Sequence, residues 1–282
     1  MMQLQKLKMQ PQKSEYSPAS GWADKGDQTM TRFIATLLFV LGTAMPAFTA
    51  GIVSQDVVYE LDGQAYQGYF VRNTGLGERQ PAVMIIHDWD GLGNYEKQRA
   101  FMLAVEGYAA FAADLYGKGV RPATTKAKKA RSGALYADRR EMRARLNGAL
   151  ETMRSMKGVD PDNIVVMGYC FGGSAVLEMA RSGADLKGFV SFHGGLTTPE
   201  GQDYSKVNGS ILILHGSHDA VAPMNDAADL AAALDRDGAS FSMEIYGGAR
   251  HAFTVWSGGR YSGQADLASW KALKEFLHQQ LR

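Results

Sequence analysis

Short apolar runs alternate with longer segments of helical character along residues 53–282, and this alternation is the feature that most restricts the fold. The first two runs flank Asp62-Gly63, a dipeptide typical of a two-residue hairpin turn. The pattern predicts an α/β protein with a mostly parallel central sheet of about eight strands and helices on both faces. The predicted strands are 53–61, 66–72, 82–87, 109–114, 164–168, 189–193, 211–215 and 241–246. The predicted helices are about 94–106, 122–154, 171–182, 225–236 and 264–281, and the charges of 122–154 are interpreted as a solvated helix face.

Composition narrows the class of partner. The formal net charge of +1 gives no electrostatic reason to expect a nucleic acid. The one cysteine rules out a disulfide within the chain, so the fold depends on its core. We therefore expect a small-molecule ligand, and a monomer or a small homo-oligomer.

The first fifty residues differ in composition from the rest of the chain. Residues 1–29 are polar and aperiodic, which predicts a disordered extension, and we expect the true start to lie after it, at Met30. A basic start, a short apolar run and small residues follow over 30–50, the pattern of a secretory signal peptide. We expect a secreted or periplasmic protein whose single domain is 51–282, with no stable membrane anchor after cleavage. The alternative is a cytoplasmic enzyme with a buried N-terminal helix.

The clearest chemical motif is Gly168-Tyr-Cys170-Phe-Gly172, between a predicted strand and a predicted helix. This is a nucleophile elbow with Cys in place of Ser, in which glycines permit a tight strand-to-helix turn. The helix N-terminus behind Cys170 favours a thiolate, and the N–H of Phe171 is placed to stabilise an oxyanion. The alternative is a glycine-rich turn with an incidental cysteine.

An acid and a base are expected after later strands, in that order. Asp219 follows the strand 211–215, and His251 follows the strand 241–246. His251 would take the thiol proton or stabilise the thiolate, and Asp219 would orient its ring. The other candidates are given different roles. We expect Asp226 and Asp229 to face solvent, His193 to lie in the core or at its rim, and His278 to lie at the surface. A metal site formed by His215 and His218 is disfavoured.

The strand ending at His87 runs into a loop that should supply the second oxyanion donor, and the N–H of Trp89 is the candidate. With this loop, the chain resembles the dienelactone hydrolase family over nearly all of residues 53–282. The resemblance implies an α/β-hydrolase fold, a Cys-Asp-His triad, backbone oxyanion donors and hydrolysis of a small ester or lactone. The matching segments are H-D-W-D-G-L at 87–92, A-D-L-Y-G at 113–117, G-Y-C-F-G-G at 168–173, H-G-S-H-D at 215–219 and R-H-A-F at 250–253.

The chain departs from the family pattern at three positions. Asp88 stands where the family uses a Glu to hold and activate the thiol, and it either takes that role or only bonds its own loop. Lys118 and Val255 stand where the family has two arginines that bind the substrate carboxylate, and Val255 cannot bind one. A less charged ester or lactone is therefore at least as good a candidate as the dienelactone, unless Arg250 or Arg260 compensates.

The expected reaction is acyl transfer to Cys170 and hydrolysis of the resulting thioester, without a metal or an organic cofactor. Two alternatives stay open: another acyl hydrolase such as a thioesterase, and a non-catalytic secreted binding protein on the same scaffold. Five aromatic residues either line the pocket or pack in the core: Trp89, Tyr116, Tyr136, Phe171 and Trp256.

Overall fold

Eight strands form one sheet in the computed structural model, which describes residues 51–281. The predictions for residues 1–50 lie outside the described residues. The strand order across the sheet is β1-β2-β4-β3-β5-β6-β7-β8. The strands are β1 (Ile52–Leu61), β2 (Gln64–Asn73), β3 (Arg79–Ile86), β4 (Ala109–Ala113), β5 (Gly158–Tyr169), β6 (Gly188–Phe192), β7 (Ser210–Gly216) and β8 (Phe241–Tyr246).

The sheet opens with an antiparallel hairpin and continues as a parallel sheet. β1 pairs with β2, and β2 with β4, in antiparallel register, whereas every other neighbouring pair is parallel. Asp62 and Gly63 both have positive φ, +49° and +78°, as a two-residue hairpin turn requires. The predicted hairpin, the strand number and the mostly parallel sheet are confirmed.

Helices cover both faces of this sheet. Alternate residues of β3 point to opposite faces: Met84 packs in the cluster that contains side chains of α2 to α5, and Val83 packs in the cluster that contains side chains of α1 and α6. This two-layer cover explains why the central strands are apolar throughout. The helices are α1 (Asn94–Val105), α2 (Thr125–Ala137), α3 (Arg139–Arg154), α4 (Phe171–Arg181), α5 (Met224–Arg236) and α6 (Gly263–Gln280).

The segment predicted as one helix over 122–154 is two helices, which is a correction. The chain turns at Asp138, whose backbone leaves helical angles and whose carboxylate accepts the N–H of Glu141 at 2.9 Å, capping α3. The interpretation of its charges as a solvated face is also wrong for Arg139 and Arg143, which contact the buried carboxylate of Glu178 on α4.

Parallel pairing aligns the carboxyl ends of four strands. Ile86 of β3 pairs beside Gly168 of β5, and Gly216 of β7 pairs beside Tyr246 of β8. The loops that follow these strands therefore emerge at one edge of the sheet, where this class of fold binds ligands.

Candidate active site

Cys170 lies on a sharp turn between β5 and α4. Its φ of +53° is a left-handed value that non-glycine residues adopt at a cost, and such strain is concentrated at functional sites. The flanking glycines are required sterically, because a Cβ at Gly172 would overlap the carbonyl oxygen of Ile86, and a Cβ at Gly168 would overlap that of Gly172. The turn has the geometry that the motif predicts.

Cys170, His251 and Asp219 form a hydrogen-bonded chain. Nε2 of His251 lies 3.0 Å from the sulfur of Cys170, and Nδ1 lies 2.9 Å from Oδ2 of Asp219. Nδ1 donates to the carboxylate, which leaves the lone pair of Nε2 facing the thiol. The structure thus brings together three side chains from well-separated stretches of sequence.

The carboxylate of Asp219 is held on both oxygens. Oδ1 accepts the N–H groups of Val221 at 2.8 Å and Ala222 at 3.0 Å, and Oδ2 faces His251. Burial opposes the charge, but the bonds from His251 and these N–H groups outweigh it and hold the pKa of Asp219 below its usual range. An ionised Asp219 fixes the tautomer of His251 that the thiol contact needs.

Cys170 is half-buried, and its sulfur lies among groups that act on its pKa in opposite directions. Burial and the carboxylate of Asp88 raise the pKa of the thiol to about 12, whereas the N–H groups of Phe171 and Trp89 lower it. The expectation that the helix N-terminus alone favours a thiolate is therefore outweighed by desolvation. A pKa raised this far keeps the proton on the sulfur at neutral pH.

Two backbone N–H groups converge on the same sulfur. They belong to Phe171, the first residue of α4, and to Trp89, in the loop after β3. The loop is fixed from both sides: the Tyr116 hydroxyl donates to the Trp89 carbonyl at 3.2 Å, and Nδ1 of His87 donates to the Asp88 carbonyl at 2.6 Å. These are the two residues whose N–H groups the sequence assigned to the oxyanion.

The loop after β3 and the first turn of α1 together carry three acidic side chains, those of Asp88, Asp90 and Glu96. Burial, together with the hydrogen bond and charge of Asp90, raises the pKa of Asp88 to about 9. Burial likewise raises the pKa of Glu96 to about 7, although its carboxylate accepts the N–H of Gly93 at 2.8 Å. Asp88 contacts its own loop, because Oδ1 accepts the Asp90 N–H at 2.9 Å, and it also acts electrostatically on Cys170. The loop contact fits the interpretation that Asp88 bonds its own loop, whereas its charge raises the thiol pKa and so opposes a thiolate; its role in activating the thiol stays a prediction.

A cleft of about 630 Å³ opens beside Asp88. Its lining does not include Cys170 or His251, and its cations already have carboxylate partners. Nζ of Lys128 lies 3.2 Å from Oδ2 of Asp90, and Nζ of Lys97 lies 2.9 Å from Oδ1 of Asp56. Arg121 in the same lining is 3.7 Å from Asp114, and Val255 lines the cleft as well. Lys118 is exposed, with its backbone N–H bonded to Ala65, and the lining does not include it.

The predicted aromatic residues divide between buried and partly exposed positions. Phe171 and Tyr116 are buried, and they pack against each other. Tyr136 is 36% exposed, with its hydroxyl 3.2 Å from Ser174 Oγ. Trp256 is 37% exposed, and its indole N–H donates to Asp266 at 2.9 Å. Tyr136, Trp256 and the half-buried Trp89 are therefore the ones left partly open to a ligand.

His193 and His278 lie where the sequence placed them, in the core and at the surface. His193 is fully buried and bonds on both ring nitrogens, and His278 is exposed. Nε2 of His215 donates to the Ala222 carbonyl at 2.8 Å. Within residues 51–281, no three His, Cys, Asp or Glu side chains are grouped to hold a metal ion, and no helix is long and apolar enough to cross a membrane.

Sequence reasoning missed several side chains that shape this site. His87, His193 and Thr254 each link two segments that meet at the cleft. The positions of His87 and His193 just after apolar strands were a usable signal, because strand ends of this fold carry functional residues. Thr254 gave no signal, since a single threonine in a loop has no distinguishing pattern.

Comparison with known proteins places the chain in a family. The sequence profile of the dienelactone hydrolase family matches residues 66–281. A dienelactone hydrolase-like promiscuous phosphotriesterase from metagenomic libraries is 28% identical, with a TM-score of 0.78 over 82% of this chain and 100% of its own. A Synechocystis protein named "Putative carboxymethylenebutenolidase" is 24% identical over 76% of this chain and 92% of its own length. The chain belongs to the dienelactone hydrolase family, an α/β-hydrolase family whose members are carboxylic ester hydrolases.

Proposed function

We propose that this hydrolase cleaves a small, weakly charged ester or lactone with Cys170 as its nucleophile, through a thioester. The observation that carries the proposal is the chain of contacts from sulfur to imidazole to carboxylate, 3.0 Å and 2.9 Å long. The two N–H groups beside the sulfur supply the second requirement of acyl transfer, which is stabilisation of the oxyanion.

The proposed reaction has two halves. His251 accepts the thiol proton while the sulfur attacks the carbonyl carbon, and the oxyanion accepts the N–H groups of Phe171 and Trp89. The intermediate collapses, the ester C–O bond breaks, and the alkoxide takes the proton from His251. Water then loses a proton to His251 and attacks the thioester, and the C–S bond breaks to release the acid and restore the thiol. Asp219 stabilises the imidazolium in each half.

The charge balance of the cleft supports a weakly charged substrate. Lys97, Lys128 and Arg121 are the cations of the lining, and a carboxylate lies within 4 Å of each. A substrate carboxylate would have to displace one of these partners. Val255 offers an apolar surface where a second guanidinium would be needed. We therefore expect neutral esters to be turned over faster than their anionic analogues.

A different acyl hydrolase, such as a thioesterase, would use the same residues, and a substrate panel separates the two. The panel should include p-nitrophenyl esters, small lactones, acyl thioesters and a phosphotriester. The phosphotriester is included because of the structural similarity to the promiscuous phosphotriesterase.

The nucleophile is tested by two variants. Cys170→Ala removes the sulfur, so ester turnover should fall to background, whereas the thermal unfolding temperature should stay close to that of the wild type. Cys170→Ser should retain weak activity, because a hydroxyl ionises less readily than a thiol. Turnover retained in Cys170→Ala would contradict the proposed nucleophile.

The binding-protein alternative has its own test. A sulfur in contact with an imidazole should react with iodoacetamide in the native protein, with loss of turnover in proportion to labelling. His251→Ala is the matched variant, and its labelling should be slower because no base accepts the thiol proton. A native thiol that is inert while the denatured protein labels normally would favour the binding protein.

A further inference from the structure

The side chain of His193 lies between the two segments that carry the proposed nucleophile and base. It follows β6, is fully buried, and has a left-handed φ of +38°. Nδ1 is 3.2 Å from the backbone nitrogen of Cys170, which also donates to the Phe192 carbonyl at 3.0 Å. Nε2 is 2.8 Å from the hydroxyl of Thr254, three residues after His251. One ring therefore connects the turn of the thiol to the loop of the imidazole.

The hydrogen-bond partners determine where the protons lie. Nδ1 of His193 accepts the Cys170 N–H, so the ring proton is on Nε2 and is donated to Thr254. The same Thr254 oxygen accepts the Tyr95 hydroxyl at 2.7 Å, and Tyr95 in turn accepts Nε–H of Arg99 at 3.2 Å. The Cys170, His193, Tyr95 and Arg99 donors each have an acceptor in this chain, and the Thr254 oxygen accepts from two of them, His193 and Tyr95.

The far end of the chain is anchored in the core. Arg99 is 1% exposed, forms an ion pair with Asp266 of α6, and donates to the Thr254 carbonyl at 3.2 Å. Its guanidinium lies 4.4 Å from the ring centroid of Trp256 and 4.9 Å from that of Trp270. Thr254 is thus held through both its hydroxyl and its carbonyl, against α1 and α6.

We propose that His193 and Thr254 are positioning residues that set the distance between the Cys170 sulfur and the His251 imidazole. Cys170 and His251 come from different loops, so a shift of either loop would lengthen their 3.0 Å contact. The hydrogen bonds of His193 and Thr254 connect these two loops beside that contact. This inference rests on the proposed function, because it assigns a purpose to the contact only if the sulfur is the nucleophile.

His193 is suited to positioning rather than to proton transfer. Burial, together with the charge of the adjacent His251, lowers its pKa well below the usual range, so the ring stays neutral when His251 is protonated. Its ring meets His251 edge-on, with centroids 5.4 Å apart, and both nitrogens are already bonded. A neutral ring keeps the same two bonds through every step of the proposed reaction.

The first test separates the Thr254 hydroxyl from the shape of its side chain. Thr254→Val should lower kcat about 10- to 100-fold with KM within about twofold, because a small misplacement of reacting groups costs about that much. Thr254→Ser keeps the hydroxyl and should restore kcat to within about threefold of the wild type. Thr152→Val, which removes another hydroxyl whose partner is a backbone carbonyl on α3, is the control and should leave kcat unchanged. All rates are normalised to the folded fraction, which far-UV circular dichroism measures.

The second test uses a readout that a merely structural role would not change. If the imidazole moves away from the sulfur, iodoacetamide alkylation of Cys170 in Thr254→Val should shift to higher pH, with the rate at pH 8 about tenfold lower. Loss of stability alone would lower the unfolding temperature but leave the pH profile of the folded fraction in place. An unchanged profile together with an unchanged kcat in Thr254→Val would overturn the proposal.

The third test asks whether the two residues act as one unit. His193→Gln keeps a donor near the position of Nε2 and loses the acceptor for Cys170 N–H, whereas His193→Asn does the reverse. Both should lose kcat, and adding Thr254→Val to His193→Asn should cost little more, because the bridge is already broken. Multiplying losses would mean independent roles and would refute the bridge.

The outcome for the proposed function is read separately. If wild-type turnover depends on Cys170 but the His193 and Thr254 variants keep full kcat, the bridge is wrong and the nucleophile stands. If Cys170→Ala keeps turnover, the proposed function fails whatever the bridge variants do.

Discussion

The backbone of Cys170 and the ionisation of its sulfur depend on different parts of the sequence. The left-handed φ follows from a local motif, because the flanking glycines and the strand-to-helix change lie within five residues. The pKa of about 12 follows from burial and from Asp88, which reaches the site from a loop about eighty residues away. The position of the sulfur could therefore be predicted from the sequence, whereas its protonation state could not.

Asp88 provides a prediction at this scale. Its pKa of about 9 means that the carboxyl is protonated at neutral pH, so Asp88→Asn should change thiol alkylation at pH 7 by less than about threefold. Above pH 9 the wild-type carboxylate repels the thiolate, and the variant should then alkylate faster. The measurement is the rate of iodoacetamide labelling across pH 7 to 10.

Asp90→Asn is the matched control for this effect. Asp90 raises the pKa of Asp88, so its loss should ionise Asp88 at lower pH and slow thiol alkylation at pH 7. If Asp88→Asn instead abolishes turnover at neutral pH, Asp88 is an activating base of the kind implied by the family resemblance. Slower alkylation in Asp88→Asn above pH 9 would contradict the repulsion.

At the scale of elements, a buried carboxylate joins α3 to α4. Glu178 is fully buried, and its oxygens lie 2.7 Å from Arg143 and from Arg181, with Arg139 at 3.4 Å. Breaking a buried pair leaves uncompensated charge, so Glu178→Gln should lower the free energy of unfolding by about 3 kcal/mol. Urea unfolding of the described domain at neutral pH measures this loss.

Glu151→Gln on α3 is the control, because it removes an exposed partner of Arg154 and should cost under about 0.5 kcal/mol.

The stabilisation that Glu178 provides depends on pH, and the direction of that dependence follows from its pKa. The pKa of Glu178 is lowered in the folded state: burial opposes the charge, but the arginines outweigh it. Its stabilisation is therefore present above the unfolded pKa of about 4.3 and is lost as pH falls through the folded value. If the difference in free energy of unfolding between wild type and Glu178→Gln widened below pH 4, this account would be contradicted.

The difference between local sequence patterns and contacts between distant residues explains which elements could be predicted from the sequence. Eight strands and the outer helices follow from local periodicity, and each appears within a few residues of its expected bounds, apart from β5, which begins at Gly158 rather than 164. The break at Asp138 was missed because helix-forming residues continue through it, and a capping carboxylate is visible only once the chain turns. The arginines of α3 were assigned to solvent because their partner, Glu178, lies more than thirty residues further along the chain.

At the scale of the whole molecule, the parallel strands determine which residues meet at the candidate site. The loops after β3, β5, β7 and β8 supply Trp89, Cys170, Asp219 and His251, and parallel register alone places those loops at one edge. This logic predicted from chain order that Cys170, Asp219 and His251 would meet. It could not predict the bridge through His193 and Thr254, because the bridge depends on how far two loops approach each other behind that edge.

The whole chain carries a last prediction, about residues 1–50. The residues that the structure describes, 51–281, form one eight-stranded sheet with helices on both faces and bring the candidate site together, so we propose that 51–282 is one self-sufficient domain. The polypeptide 51–282, produced alone, should fold and show the kcat/KM of the enzyme produced from the full gene, within about twofold.

We also propose that 30–50 directs export, because of its basic start, short apolar run and small-residue end. In a host with a periplasm, N-terminal sequencing of the exported protein should then find a start near Gly51. A start well before residue 40, or retention in the cytoplasm with an intact N-terminus, would refute the export signal. A misfolded 51–282 polypeptide would instead refute the domain boundary, so the two proposals fail independently.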